Sequence, residues 1–318
     1  MNILLLGGFG FIGTNILKYV ETLDSDYRII VFDRFPKHLD GIQFSRVDKV
    51  YAGDFSDEYL LNKIFDENQI DIVLHSLSAS VPSSSVDNIF DLKFNVIPTI
   101  ALLNVMKNHN VKNIVFISSG GAIYGDTAVT ESGHCEEDVL FPKSAYGVSK
   151  LVIEKYLYLY SNLYDFKVLI TRLSNPYGPY HYSQKQGVVN IALEKAIRKE
   201  KLEIWGDGNG KKDYIFITDF CNILFSLIEK HPYQYEVLNI GSGTLLSVNE
   251  IANTIKGQLI KTFEWGYRQL NNLDVNSFML NLNKLHSIIG NFHFTSFENG
   301  LDLTYEWYQK RNHNIHEQ

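Results

Sequence analysis

Five short segments, at residues 2–6, 28–32, 71–75, 113–118 and 167–172, are apolar along most of their length, and they restrict the fold more than any other feature. Each has the length of a strand. A strand with one wet face alternates polar and apolar residues, so continuous apolar runs imply burial on both faces, the condition of a parallel sheet covered by helices. Between these runs, residues 11–23, 56–67, 96–108 and 144–162 carry apolar positions at helical period. Strand and helix in this alternation predict an α/β fold with a doubly wound parallel sheet.

The turn between the first strand and the first helix reads Gly7-Gly8-Phe9-Gly10-Phe11-Ile12-Gly13. It satisfies G-x-G-x-x-G through Gly8, Gly10 and Gly13, and G-x-x-G-x-x-G through Gly7, Gly10 and Gly13. Glycine serves three purposes here: a tight turn, close approach of the backbone to a pyrophosphate, and close packing of helix on strand. The helix opening at Phe11 and Ile12 then presents free N–H groups and a positive dipole end to the phosphates. Asp33 follows 20 residues beyond Gly13 at the tip of the second strand, where a carboxylate accepts bonds from the adenosine ribose and repels a 2′-phosphate. NAD is therefore expected over NADP, with the neighbouring Arg34 weakening that preference. The plainer alternative is a simple strand-to-helix turn with a solvated Asp33. Asp54, after the expected third strand, reads equally as a loop cap or an adenine contact.

A rhythm this regular through residue 175 predicts an NAD-binding domain over residues 1–175, rejoined by 213–243. Residues 176–212 and 244–318 are left as a smaller substrate-binding domain with a looser pattern: a helical segment at 187–199, a turn cluster at 206–210 and an Asn-rich loop at 269–276. With 318 residues, 45% of them hydrophobic, the chain can bury an ample core. A net charge of −7 offers no general attraction to nucleic acid. No run approaches the ~18–20 apolar residues of a membrane span. The first six residues lack a basic leader and lead straight into glycines, so they read as a strand and not a secretory signal. Cys135 and Cys221 are far apart and lack metal-ligand spacing, which argues against a disulfide framework or a metal and predicts a cytoplasmic protein.

Chemistry enters with Ser144-Ala145-Tyr146-Gly147-Val148-Ser149-Lys150. Four residues apart on a predicted helix, Tyr146 and Lys150 share a face. An ammonium beside a phenol favours phenolate, which can take a hydroxyl proton while hydride leaves the same carbon. Tyrosines are common locally, at 156, 158, 160 and 164, so the pair gains meaning only with the glycine loop upstream.

Together the glycine loop and the Tyr/Lys spacing resemble the extended short-chain dehydrogenase/reductase superfamily, and within it the NAD-dependent sugar-nucleotide epimerase/dehydratase family, UDP-glucose 4-epimerases in particular. The likeness extends to Gly53-Asp54-Phe55, His75-Ser76-Leu77-Ser78-Ala79, Asn95, the stretch 118–125, Arg172-Leu173-Ser174-Asn175-Pro176-Tyr177-Gly178-Pro179, Trp205-Gly206-Asp207-Gly208 and Lys212-Asp213-Tyr214. It implies that Asp54 and Phe55 border the adenine and that Leu77, Ala79 and Asn95 lie along the cofactor. It also implies that Asn175, Lys212 and Arg268 hold the diphosphate of a nucleoside-diphosphate sugar. Lys212 stands where the family has an arginine and cannot make its bidentate phosphate contact. Gly120 stands where the family has a catalytic Ser or Thr; Ser119 could replace it after a backbone shift, or could simply bond its own backbone. Ala122 and Gly121 occupy the places of the acids used by family dehydratases, which disfavours dehydration.

Three readings follow. In the first the chain epimerises carbon 4 of a sugar nucleotide by transient oxidation, with catalytic Tyr146, Lys150 and Ser119; in the second it reduces a 4-keto-6-deoxy sugar nucleotide; in the third it is a dinucleotide sensor with impaired catalysis. His75 and His134 lack catalytic partners in sequence and read as structural. The aromatic segment 156–164 suits packing on the sheet or on another subunit, and superfamily members commonly dimerise through a helix pair near it, so a homodimer is expected.

Overall fold

The computed structural model describes residues 1–35, 44–80, 89–125, 132–230, 233–269 and 277–316. In chain order its elements are β1 (Asn2–Leu6), α1 (Phe11–Val20), β2 (Arg28–Asp33), β3 (Val47–Ala52), α2 (Glu58–Glu67) and β4 (Ile72–His75). A π-helical turn (Leu92–Val96) leads into α3 (Ile97–Asn108), followed by β5 (Asn113–Ser119), α4 (Gly120–Tyr124), α5 (Ala145–Tyr164), β6 (Lys167–Leu173) and β7 (Asn175–Tyr177). Then come α6 (Val188–Ile197), β8 (Leu202–Trp205), β9 (Lys211–Phe216), α7 (Ile217–Glu229), β10 (Tyr235–Ile240), β11 (Leu245–Ser247), α8 (Val248–Thr254), β12 (Trp265–Arg268), α9 (Asn283–Ile289) and α10 (Phe297–His316).

Seven strands form one sheet in the order β10-β6-β5-β4-β1-β2-β3, with every pairing parallel. The doubly wound α/β architecture is as expected. In β1, Ile3 and Leu5 enter one core with residues of α1 and α7, and Leu4 and Leu6 enter the opposite core with residues of α2, α3 and α5. Successive side chains of a strand point to opposite faces, so two helical layers require a continuous apolar run. β3 is the exception: Val47-Asp48-Lys49-Val50-Tyr51-Ala52 lies at the sheet edge and is largely exposed. Its polar pattern is what an edge needs to discourage further pairing.

Helix ends follow local chemistry. α1 stops at Val20, short of residue 23, where Thr22 Oγ1 bonds the Tyr19 carbonyl (2.7 Å) in a turn. α5 starts where Ser144 Oγ accepts the Gly147 N–H (3.1 Å) and ends at Asp165 in the left-handed region, so its 20 residues span about 30 Å. Strand order reverses at β1, whose neighbours β2 and β4 open a crevice at their carboxyl ends, the usual ligand position in such sheets.

Beyond Leu173 the chain builds a three-stranded sheet, β11-β9-β7, and a two-stranded one, β12-β8. They share a third core with α6, α8 and α10. After β9 the chain returns to the large sheet: α7 packs in the core beside α1, and β10 adds the edge strand. Leu285 of α9 is buried in that same core. Among the described residues no helix is long and apolar enough to cross a membrane.

Candidate active site

The glycine loop sits at the mouth of the crevice. Gly7 has φ +78°, and a Cβ on it would lie 2.9 Å from Leu77 Cα; a Cβ on Gly13 would lie 2.2 Å from the Gly7 carbonyl oxygen. Side chains at either place would close the cradle. Gly10 caps α1 without a side-chain bond, so the first N–H groups of the helix, from Phe11 onward, face outward without a capping side chain. The Asp33 carboxylate is held above the loop, accepting the Phe9 N–H on Oδ2 (2.9 Å) and the Phe35 N–H on Oδ1 (3.0 Å). A dinucleotide with its pyrophosphate at the helix end and its ribose at Asp33 fits this arrangement.

Around that cradle the other expected residues take distinct places. Arg34 pairs with Asp54 Oδ2, while Asp54 Oδ1 accepts the Ser56 N–H (3.0 Å) and hydroxyl (2.7 Å). Asp54 is thus a turn cap. Phe55 is buried against Phe32 and His75. The Ala79 N–H donates to Asn95 Oδ1 (2.8 Å), which ties the loop after β4 to the π-helical turn.

On the opposite wall, β5 and the start of α5 bring Ser119, Tyr146 and Lys150 together. The Ser119 hydroxyl lies close enough to Tyr146 to hold its pKa down and makes no capping bond to the helix that follows it. Part of the Tyr146 side chain remains exposed, yet burial around its phenol pushes the pKa up to about 12, opposed by Ser119 and reinforced by Asp91. Lys150 Nζ lies 5.7 Å from the Tyr146 ring centroid and donates to the Ile117 carbonyl (2.9 Å). Burial brings its ammonium down to about 8, against the upward pull of Glu154 and then Asp91. At Gly120 the space for a side chain is taken: a Cβ would meet Phe278 Cζ at 3.0 Å and Leu280 Cδ2 at 3.1 Å.

Below this cluster lies a polar network that sequence reasoning missed. Glu154, one helical turn past Lys150, accepts from Ser118 Oγ (2.6 Å) and from Arg172 Nη2 (2.9 Å). Arg172 Nη1 also donates to Tyr124 Oη (2.9 Å) and to the Glu136 carbonyl (2.8 Å), and Tyr124 donates to Asn239 Oδ1 (2.8 Å). Arg172 and Glu154 are almost wholly buried, so each charge depends on the other for compensation. The spacing 146, 150, 154 was the available signal for Glu154. Both histidines are held inside the protein: His75 Nε2 lies 3.0 Å from Thr99 Oγ1, and His134 stacks on Tyr124 with ring centroids 4.8 Å apart.

Of the three residues expected at the diphosphate, Asn175 and Lys212 lie on neighbouring strands of one small sheet, with Asn175 Nδ2 bonded to the Asp213 carbonyl (2.8 Å). Arg268 is on the separate two-stranded sheet, ion-paired with Glu203 and lying over Trp205.

Comparison with known proteins agrees with this geometry. Residues 3–241 match the NAD dependent epimerase/dehydratase family. A UDP-glucose 4-epimerase of Halalkalibacterium halodurans is 32% identical over 268 residues, covering 79% of this chain and 78% of that protein. A dTDP-4-dehydro-6-deoxyglucose reductase of Escherichia coli is 27% identical over 306 residues, covering 94% and 95%. The crystal structure of a Thermotoga maritima UDP-glucose 4-epimerase with UDP-glucose superposes with a TM-score of 0.88 at 31% identity, covering 98% of this chain and all of that one. Because the family match runs from β1 to just past β10, taking in the glycine loop, Tyr146 and Lys150, the chain belongs to the NAD-dependent epimerase/dehydratase family and is an enzyme of it, with NAD as its cofactor.

Proposed function

We propose that this enzyme is a 4-epimerase of a nucleoside-diphosphate hexose, with a UDP-hexose the first substrate to try. The observation that carries the reading is the Tyr146/Lys150 pair, with Lys150 Nζ 5.7 Å from the Tyr146 ring centroid and Ser119 beside the phenol, one residue before the position that Gly120 leaves bare. NAD, when bound, supplies the hydride acceptor and donor for the sugar carbon. Tyr146 takes the proton of the 4-hydroxyl and returns it when the ketone is reduced on its other face. Ser119 stabilises the phenolate by donation, and Lys150 does so by charge, which brings a phenol resting at about 12 towards the working range. Ala122 and Gly121 carry no acid beside the reacting carbons, so removal of water lacks a catalyst. Asn175, Lys212 and Arg268 are proposed to hold the diphosphate, on the substrate-binding portion formed by 176–212 and 244–318.

One observation favours a second reading. The E. coli relative is a reductase by name, and a phenol protonated at rest supplies the proton that reduction of a 4-keto-6-deoxy sugar nucleotide requires. The two readings separate in one experiment. Purified protein is incubated without reductant with UDP-glucose, UDP-N-acetylglucosamine and their 4-epimers, followed by proton NMR. Interconversion is expected, with Tyr146→Phe at least about 100-fold slower at undiminished NAD binding. Failure with every UDP-, dTDP- and GDP-hexose, together with stoichiometric oxidation of NADH by a 4-keto-6-deoxy sugar nucleotide, would install the reductase.

The homodimer is also a proposal. Val148, Leu159 and Leu163 of α5 and Ile97 of α3 are 43%, 44%, 61% and 59% exposed. These apolar side chains on two adjacent helices suit a second copy of the chain.

A further inference from the structure

Asn15, in the second turn of α1, donates from Nδ2 to two carbonyls: that of Phe11 in its own helix (2.8 Å) and that of Pro179 (2.9 Å), 164 positions on. The helix that opens the dinucleotide cradle is thus tied to the loop that follows β7. Two residues further along that loop, the His181 ring meets Phe11 edge-on, with centroids 4.7 Å apart and planes at 78°. Only 3% of His181 is exposed, and burial lowers its pKa to about 4, so a neutral ring makes this contact. Its Nδ1 has no partner among the described residues, and packing alone holds that side of the imidazole. The mechanism above uses neither contact.

The loop is gripped from its other side. Tyr180 and Tyr182, which flank His181, pack on Trp307 of α10 with centroids 5.2 and 5.6 Å away, and Tyr308 Oη donates to the His181 carbonyl (3.3 Å). At one end of the loop, Asn190 of α6 bonds both the N–H (3.2 Å) and the carbonyl (2.7 Å) of Gly178. At the other, a Cβ on Gly187 would lie 2.6 Å from His181 Nε2, so the imidazole rests on the residue that precedes α6. Residues of α6 and α10 belong to the third core. His181 therefore joins that core to the first residue of α1.

Phe11 is where this junction gains a function. α1 begins there after Gly10, which gives it no side-chain cap, and an uncapped first turn is the part of a helix that frays. Its N–H groups bind a pyrophosphate well only if they are already in place, because ordering them on binding would cost affinity. His181 holds the Phe11 ring and Asn15 holds the Phe11 carbonyl. We propose that His181 is a positioning residue for NAD, keeping the first turn of α1, through Phe11, in the form that receives the pyrophosphate. This goes beyond the epimerase reading and requires only that NAD lie at the glycine loop.

The test reads NAD binding in the absence of any sugar nucleotide. The full chain, stripped of NAD, is titrated calorimetrically with NAD as wild type, His181→Ala, Phe11→Leu and the double variant. Each single change is expected to weaken NAD binding about tenfold. The double variant is expected to bind no more weakly than Phe11→Leu alone, because His181 acts through a ring that is already gone. Effects that multiply would make His181 a general support of the fold and overturn the proposal. An affinity of His181→Ala within twofold of wild type overturns it as well, and so does a loss in His181→Ala without one in Phe11→Leu. If His181→Ala does not fold, His181→Asn takes its place, and loss of folding in both assigns His181 to the scaffold and overturns the proposal. Weakened affinities that do not multiply uphold it even if no hexose is interconverted, and interconversion by wild type does not rescue it if the affinities are unmoved.

Discussion

His75 shows how burial converts a titratable residue into a condition on stability. It is packed edge-on between Phe55 and Phe116, and burial, with the nearby Lys150, lowers its pKa from 6.5 to about 3. Between those values the unfolded chain binds a proton that the folded chain refuses, so the stability present above pH 6.5 drains away as the pH falls towards 3. Each pH unit in that window costs about 1.4 kcal/mol for one such group. His75→Phe retains the ring packing, and Thr99 keeps its bond to the Asn95 carbonyl (2.6 Å). The urea midpoint of the variant is expected to fall less steeply than that of wild type between pH 6.5 and 4.5; parallel slopes would show that His75 is not the proton acceptor. At this same scale Ser119 was legible as a candidate, but its partner was not. Whether a strand-end serine bonds its own backbone or a tyrosine 27 positions on depends on where the next helix lies.

Elements turn such residues into a site. α1 can deliver its N-terminus to a pyrophosphate only because Gly13 lets the helix lie against the Gly7 carbonyl, where a methyl group would intrude to 2.2 Å. Gly13→Ala is therefore expected to push the helix off the loop and weaken NAD binding at least tenfold, about 1.4 kcal/mol, as read by calorimetric titration. Unchanged affinity would remove the loop from the cofactor site. In α5 the positions 146, 150 and 154 place phenol, ammonium and carboxylate along one face. The period of the helix was legible in its sequence. The partner of Glu154 was not, since Arg172 comes from β6 and Ser118 from β5, joined only by the sheet. β3 eluded the apolar pattern for an equally physical reason: an edge strand has no second core to fill.

For the whole molecule the open surface of α3 and α5 is the feature with consequences. Replacing Leu159 and Leu163 by glutamate puts charge into the proposed seam, and like charges across a two-fold axis meet themselves. Wild type is expected to sediment as two copies of the 36.5 kDa chain and the double variant as one, with the urea midpoint little changed because both side chains are exposed. A monomeric wild type at tens of micromolar would reject the dimer. The return of the chain to the large sheet belongs to this scale too. α7 and β10 complete the large sheet and its core after β7, α6, β8 and β9 have contributed to the smaller sheets and the third core.

What the sequence determined by itself was whatever is encoded locally. Continuous apolar strands, helical periods, a glycine loop at a strand end and an i, i+4 Tyr/Lys pair each depend on neighbours within a few residues, so the doubly wound sheet, the dinucleotide cradle and the shared face of Tyr146 and Lys150 on α5 could be read directly. Tertiary structure decided the rest, because it turns on contacts between distant segments. Phe278 and Leu280 reach back to fill the space beside Gly120, Ser119 meets Tyr146, and Arg34 is engaged by Asp54. Asp91, unremarkable in its own stretch of chain, is buried and bonded to Ser80 and Asn95 only because the chain folds back at the π-turn, since the surroundings of a polar group are assembled by the fold.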